Sequence, residues 1–222
     1  MQPGMRAFLF LFIGILSISS TARSQSFQDQ AIPEDQGLDS LLASAVFETA
    51  WDYAKSNPDS AFFYANKALE IANRGSLTQL QAYSHSVIGK TYRIKEQFDS
   101  ANYHLETSLK LRIRYADTVD IISAHNQLGS LHLYAENFER AIDHYSTGLT
   151  LAKSINYRKY MPSLYLGLGG IYINIGEYQK AETALRAGLS ISKQLGRKTS
   201  IANTLFNLGR LNEKIKRYPA AL

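Results

Sequence analysis

The chain has no cysteine. Disulfides, thiol catalysis and thiolate metal sites are therefore excluded, and so is a lipid-attached leader, which needs a cysteine at its cleavage point. Long apolar runs are also missing. The most apolar stretch, residues 7–17 (AFLFLFIGILS), falls well short of the roughly 20 residues of a membrane-spanning helix. Charge of one sign is scarce too: 24 basic against 19 acidic residues give +5, too little to imply a nucleic-acid partner. Catalytic motifs are absent, with no H-E-x-x-H, no phosphate loop ending in Gly-Lys-Ser/Thr and no readable Ser/His/Asp order. His125 and His132 lie two turns apart but have no third ligand in sequence reach, so they are expected to be structural. Gly167 to Gly170 (GLGG) follows no strand and is expected to be a packing feature. No catalytic residue, metal or cofactor is expected.

What is present is an ordinary soluble composition, 45% hydrophobic and 19% charged, with enough apolar surface for an extended core. The start differs. Arg6, the apolar run, and Ala22 and Ser24 before Gln25 read as a secretory signal peptide over residues 1–24, with a retained anchor as the alternative. Removing Arg6 and Arg23 would leave 22 basic and 19 acidic residues, or +3. Residues 25–38 are polar, contain Pro33 and read as a linker. Seven Asp or Glu fall in residues 25–60, and seven Lys or Arg in residues 193–222.

From about residue 39 onward, landmarks recur every 40 residues. Ala181 has counterparts at Ala61, Ala101, Ala141 and Ala221; Gly169 at Gly89, Gly129 and Gly209; Tyr178 at Phe98, Phe138 and Tyr218; Leu189 at Leu69, Leu109 and Leu149. A register of this kind marks a repeat array. Each unit reads as two helices. A mid-helix Gly costs about 1 kcal/mol relative to Ala, so four in register mark places where a neighbouring helix passes too close for a side chain. The invariant Ala makes the matching approach from the second helix, and the Phe or Tyr wedges between repeats. Asp39 is expected to cap the first helix, Asn57 to cap the second with Pro58 in its opening turn, and Gly75, Asn156 and Gly196 to end second helices.

These residues resemble the tetratricopeptide repeat (TPR) family, whose first helix carries L-G-x-x-Y and whose second carries an aromatic followed by Ala. The resemblance covers about residues 39–222, as repeats at 39–78, 79–118, 119–158 and 159–198 and an incomplete unit at 199–222. It implies an all-α, right-handed solenoid of antiparallel helix pairs. The period exceeds the family's usual 34 residues by six, which if helical adds about 9 Å per repeat. That is similar to long-repeat TPR proteins that bind extended peptides and to exported bacterial sensor arrays. The family's tryptophan position holds His85, His125, Tyr165 and Leu205.

The family pattern implies an inner groove lined by the first helices. Carried onto this sequence it selects Tyr83, Lys90 and Arg93; Asn126 and Tyr134; and Asn203, Phe206, Asn207 and Arg210. Leu133 and Ile173 fall in the same register and could instead pack. The carboxylate clamp of some TPR proteins is not matched, because Ser123, Gln127, Ser163 and Gly167 stand where donors are needed. The expectation is a non-catalytic module binding a protein or an acidic, apolar peptide, exported to the periplasm or cell envelope. The alternative is the input region of a membrane signalling protein. Because the final unit is incomplete, the sequence reads as a fragment, with Leu205, Leu208 and Leu211 of its last helix exposed and open to self-association.

Overall fold

The computed structural model describes residues 38–53 and 56–217. The expected signal peptide, most of the linker, Tyr218 and Ala221 lie outside these residues. Nine helices follow one another among the described residues: α1 Leu38–Tyr53, α2 Pro58–Arg74, α3 Thr78–Ile94, α4 Phe98–Tyr115, α5 Thr118–Tyr134, α6 Phe138–Ser154, α7 Met161–Asn174, α8 Tyr178–Gln194 and α9 Lys198–Arg217. The protein is an all-α helical-repeat solenoid. Each helix packs on the next, and successive first helices (α1, α3, α5, α7, α9) also touch one another, whereas successive second helices scarcely do. The first helices therefore line the inner side of the array.

Local chemistry explains where the helices stop. Left-handed residues fall at Ser76, Glu96, Ala116, Glu136, Asn156, Gly176 and Gly196, one after each of seven helices. At six of these turns the next N–H reaches back five residues: Leu77 to the Ala72 carbonyl, Gln97 to Tyr92, Asn137 to His132, Tyr157 to Ala152, Glu177 to Tyr172 and Arg197 to Ser192, at 2.7 to 2.9 Å. This is the Schellman closure, which satisfies carbonyls that a helix end leaves bare. Asn156 and Gly196 close their helices as expected. At the first turn the left-handed residue is Ser76, while Gly75 has φ −84°. At helix starts, Asn57 accepts from Ser60 N at 3.1 Å with Pro58 in the opening turn, and Asp117 accepts from Val119 N and Asp120 N. Helix α1 begins at Leu38, one residue ahead of its expected cap, which puts Asp39 inside its first turn.

The register of small residues has a common geometric cause. A Cβ on Gly89 would stand 2.8 Å from Leu105 Cγ, one on Gly129 2.7 Å from the Tyr145 ring, and one on Gly169 2.6 Å from Leu185 Cγ. Each intruder lies sixteen positions after its glycine, on the second helix of the same repeat. Ala61, Ala101, Ala141 and Ala181 are fully buried on those second helices. Tyr145 also lies against Gly167 of the following repeat, so one ring is held between two glycines and joins α5, α6 and α7. Gly209 departs from the pattern. No described atom lies within 4 Å of a Cβ there, and its counterpart to Leu185 would be position 225.

The last helix corrects a second expectation. Leu211 is fully buried against Ile173, Tyr178, Ala181 and Leu185 of the preceding repeat, and Leu208 is half-buried beside it. Only Leu205 stays exposed, accompanied by Phe206. The 3.6-residue period turns Leu211 toward the repeat behind and Leu205 away from it.

Candidate functional site

The expected groove residues divide into two kinds. Those in the N-terminal half of α3, with their neighbours on α5, join one repeat to the next. Tyr83 Oη donates to Asp120 Oδ2 at 2.7 Å, and its ring stacks on Phe47. Asp120 Oδ2 also accepts from Tyr115 Oη at 2.5 Å. Arg112, almost fully buried, stands over the Tyr83 ring, donates from Nη1 to the Asp120 carbonyl at 2.8 Å and from Nε to Ser108 Oγ at 3.1 Å. Ser108 Oγ in turn donates to the Ala82 carbonyl. Burial and the Asp120 carboxylate raise both tyrosine pKa values, so the phenols stay protonated donors. Two more bridges follow the same course: Ser86 Oγ to Gln127 Oε1 at 2.5 Å, and Tyr160 Oη to Ser123 Oγ at 3.1 Å. Ile173 is buried and Leu133 packs into the core, so both of these are packing residues. Asn126 is half-buried on the same stretch of α5.

The C-terminal ends of the inner helices are different. Lys90 Nζ lies 5.9 Å from the centre of the Trp51 ring, and Arg93 lies 4.6 Å from the centre of the Tyr134 ring. Each pair spans neighbouring repeats, α3 with α1 and α3 with α5. Trp51 and Tyr134 are well exposed, at 57% and 63%, so the rings present open faces beside fixed cations. Further along, Arg210 Nη1 donates to Asn207 Oδ1 at 3.1 Å and its Nη2 approaches Asn174 Oδ1 at 3.5 Å, while Asn207 Nδ2 donates to the Asn203 carbonyl. Phe206 is the most exposed large apolar side chain among the described residues. The structure thus groups Lys90, Arg93 and Tyr134 at one end and Asn203, Asn207 and Arg210 at the other. Tyr83 belongs to the bridge network.

One cluster was not anticipated. His85 Nδ1 lies 2.9 Å from His104 Nδ1, and forty residues on, His125 Nδ1 lies 3.1 Å from His144 Nδ1. In each repeat the second-helix imidazole also stacks on a further ring of the first helix, His104 on Tyr92 and His144 on His132. A cavity of about 390 Å³ opens beside the second stack, reaching Glu106, Arg140 and Asp143. Burial lowers all five histidine pKa values, to about 4 for His85, His125 and His144. The sequence signal was available, since both pairs are spaced by 19 residues and repeat at the array's own period. Among the described residues no group of three or more His, Cys, Asp or Glu is arranged to hold a metal ion, and no helix is long and apolar enough to cross a membrane.

Helix pairs stacked through a Gly and Ala register define a TPR-like solenoid. The tetratricopeptide repeat model matches residues 78–154 and 160–222, and the chain belongs to the tetratricopeptide repeat family. No curated protein matches it in sequence. Solved structures of similar fold include a Rap protein complexed with competence and sporulation factor, at TM-score 0.71 and 17% identity over 82% of this chain and 54% of that one. Aspartyl phosphate phosphatase F from Bacillus subtilis is similar at TM-score 0.72 and 17% identity, over 79% of this chain and 48% of the other. The TPR-like repeats of a putative kinesin light chain from Podosopora anserina match at TM-score 0.65 and 14% identity, over 82% of this chain and 90% of that one. At these identities the likeness is one of fold. The chain spans about half the length of the first two of these structures.

Proposed function

We propose that the chain is a non-catalytic protein–protein interaction module, a long-repeat TPR solenoid that holds an acidic, apolar peptide segment along the open ends of its inner helices. The observation that carries this reading is the pair of cation–aromatic contacts, Lys90 with Trp51 and Arg93 with Tyr134. Exposed rings fixed beside cations offer apolar area at low entropy cost and a charge that a carboxylate can meet. Arg210 extends the same sign of charge to the far end of the array. A Rap protein of similar fold is seen in complex with competence and sporulation factor, which supports the holding of a partner as a use of this architecture. The apolar leader over residues 7–17 supports export to the periplasm or cell envelope as the place of action.

The test is fluorescence anisotropy with labelled extended peptides rich in Asp, Glu and aromatic residues, set against the same peptides with Lys replacing each acid. Acidic peptides should bind more tightly. Reversing Lys90, Arg93 and Arg210 to Glu should weaken them by about tenfold or more, because surface charges steer and select partners. Equal binding of both peptide sets, or an unchanged affinity after the triple reversal, would move the site elsewhere.

A further inference from the structure

We propose that the two imidazole pairs, His85 with His104 and His125 with His144, make the middle of the array an acid-triggered joint that parts α3 from α4 and α5 from α6. The geometry limits how many protons each pair can hold. With the two Nδ1 atoms 2.9 and 3.1 Å apart, one must carry a hydrogen and the other must present its lone pair. A first added proton is tolerated, because an imidazolium Nδ1–H still donates to a neutral partner. A second leaves two N–H groups pointing at each other between two positive charges, and the contact must open.

The two sites differ in what faces them. His85 and His104 meet each other, Tyr92 on α3 and Tyr103 on α4, and His104 opposes a proton on His85. His125 and His144 meet His132 on α5, Arg140 and Asp143 on α6 and Glu106 on α4, the last 4.0 Å from His144 Nε2. Asp143 favours a proton on His144 and Glu106 one on His125, whereas His132 and Arg140 oppose protonation of His144. Either pair opens when both of its rings carry a proton, and at the second pair a protonated His144 gains Glu106 as a partner across α4 and α6. Because each pair joins the two helices of one repeat, opening loosens the seating of α3 and α5, the helices that carry Lys90, Arg93 and Tyr134.

The direction follows from linkage. Burial holds the folded rings below the ordinary value of 6.5, to about 4 for three of the four. Their contribution to stability is complete above about pH 6.5 and is lost as pH falls toward 4, the range in which the open chain takes up protons that the folded chain refuses. The test is urea unfolding of the whole chain at a series of pH values from 7.5 to 4.5, for the native sequence and for a variant with His104→Asn and His144→Asn. Asn keeps a hydrogen-bonding atom near the Nδ1 position but takes up no proton. The proton uptake on unfolding, read from the slope of unfolding free energy against pH, should fall by about two in the variant. Equal slopes would overturn the proposal. A second measurement stands if the variant does not fold: NMR titration of the native imidazole Cε1 protons should show His85, His125 and His144 changing near pH 4 and His104 below its ordinary range, and midpoints near 6.5 for all five would overturn it equally.

Discussion

Gly169 and Gly170 are neighbours on α7 with the same intrinsic helix penalty, and alanine at each should move stability in opposite directions. At Gly170 no atom lies within 4 Å of a new Cβ. Substitution there only removes the excess freedom of glycine, and Gly170→Ala should stabilise the chain by about 0.5 to 1 kcal/mol. At Gly169 the new carbon would stand 2.6 Å from both Cγ and Cδ2 of Leu185 and 3.5 Å from the Ala181 carbonyl. Leu185 is fully buried, and its Cγ is not the free end of a side chain, so relief requires α8 to shift. Overpacking of this kind costs about 1 to 3 kcal/mol, which exceeds the same propensity gain in most of its range. Gly169→Ala should therefore be net destabilising by about 0.5 to 2 kcal/mol. Urea unfolding of the two variants beside the native chain reads both signs at once. Stabilisation by Gly169→Ala equal to that of Gly170→Ala would refute the argument that the recurring glycine exists to admit the second helix.

Ala181→Leu should loosen the joint between α7 and α8 by about 1 to 3 kcal/mol, since Ala181 is fully buried in the same close contact; an unchanged melting curve would contradict it. Ala116→Gly should raise stability by up to about 1 kcal/mol, because Ala116 has φ 58° and glycine takes that conformation without strain. A fall in melting temperature for Ala116→Gly would show that the turn depends on the alanine methyl group.

Much of this architecture is legible in the sequence because its cause is repeated. Gly89, Gly129 and Gly169 mark the close approaches, and the intruding Leu105, Tyr145 and Leu185 keep the same spacing from each. Asn156 and Gly196 announce left-handed turns by their type, whereas Ser76, Glu96, Ala116 and Glu136 take the same conformation with no residue preference to reveal it. At Ser76, Glu96 and Glu136 the Schellman closure of the preceding helix overrides local propensity. The candidate site is less legible. A groove register names the residues on one side of a helix but not their partners, so it treated Tyr83 and Lys90 alike. Only the packing of α3 on α5 shows that the Tyr83 hydroxyl is engaged by Asp120 while Lys90 sits beside an open Trp51 ring. The partners of the histidines were hidden for a related reason. His125 and His132 share a helix and drew attention in sequence, yet the hydrogen-bonded pair is His125 with His144, brought together from facing helices.

The central claim is that a partner docks on the inner face, and two aromatic positions of nearly equal exposure allow a direct test. Tyr134 on an inner helix is 63% exposed, and Phe63 on the outer helix α2 is 64% exposed. A photocrosslinking phenylalanine analogue placed at either position in the full chain, illuminated in the cells that make it, has the same access to solvent. The account predicts a discrete crosslinked protein from position 134, diminished when Lys90, Arg93 and Arg210 are reversed, and none from position 63. Crosslinking from position 63 alone, or a product at 134 indifferent to the charge reversal, would contradict it.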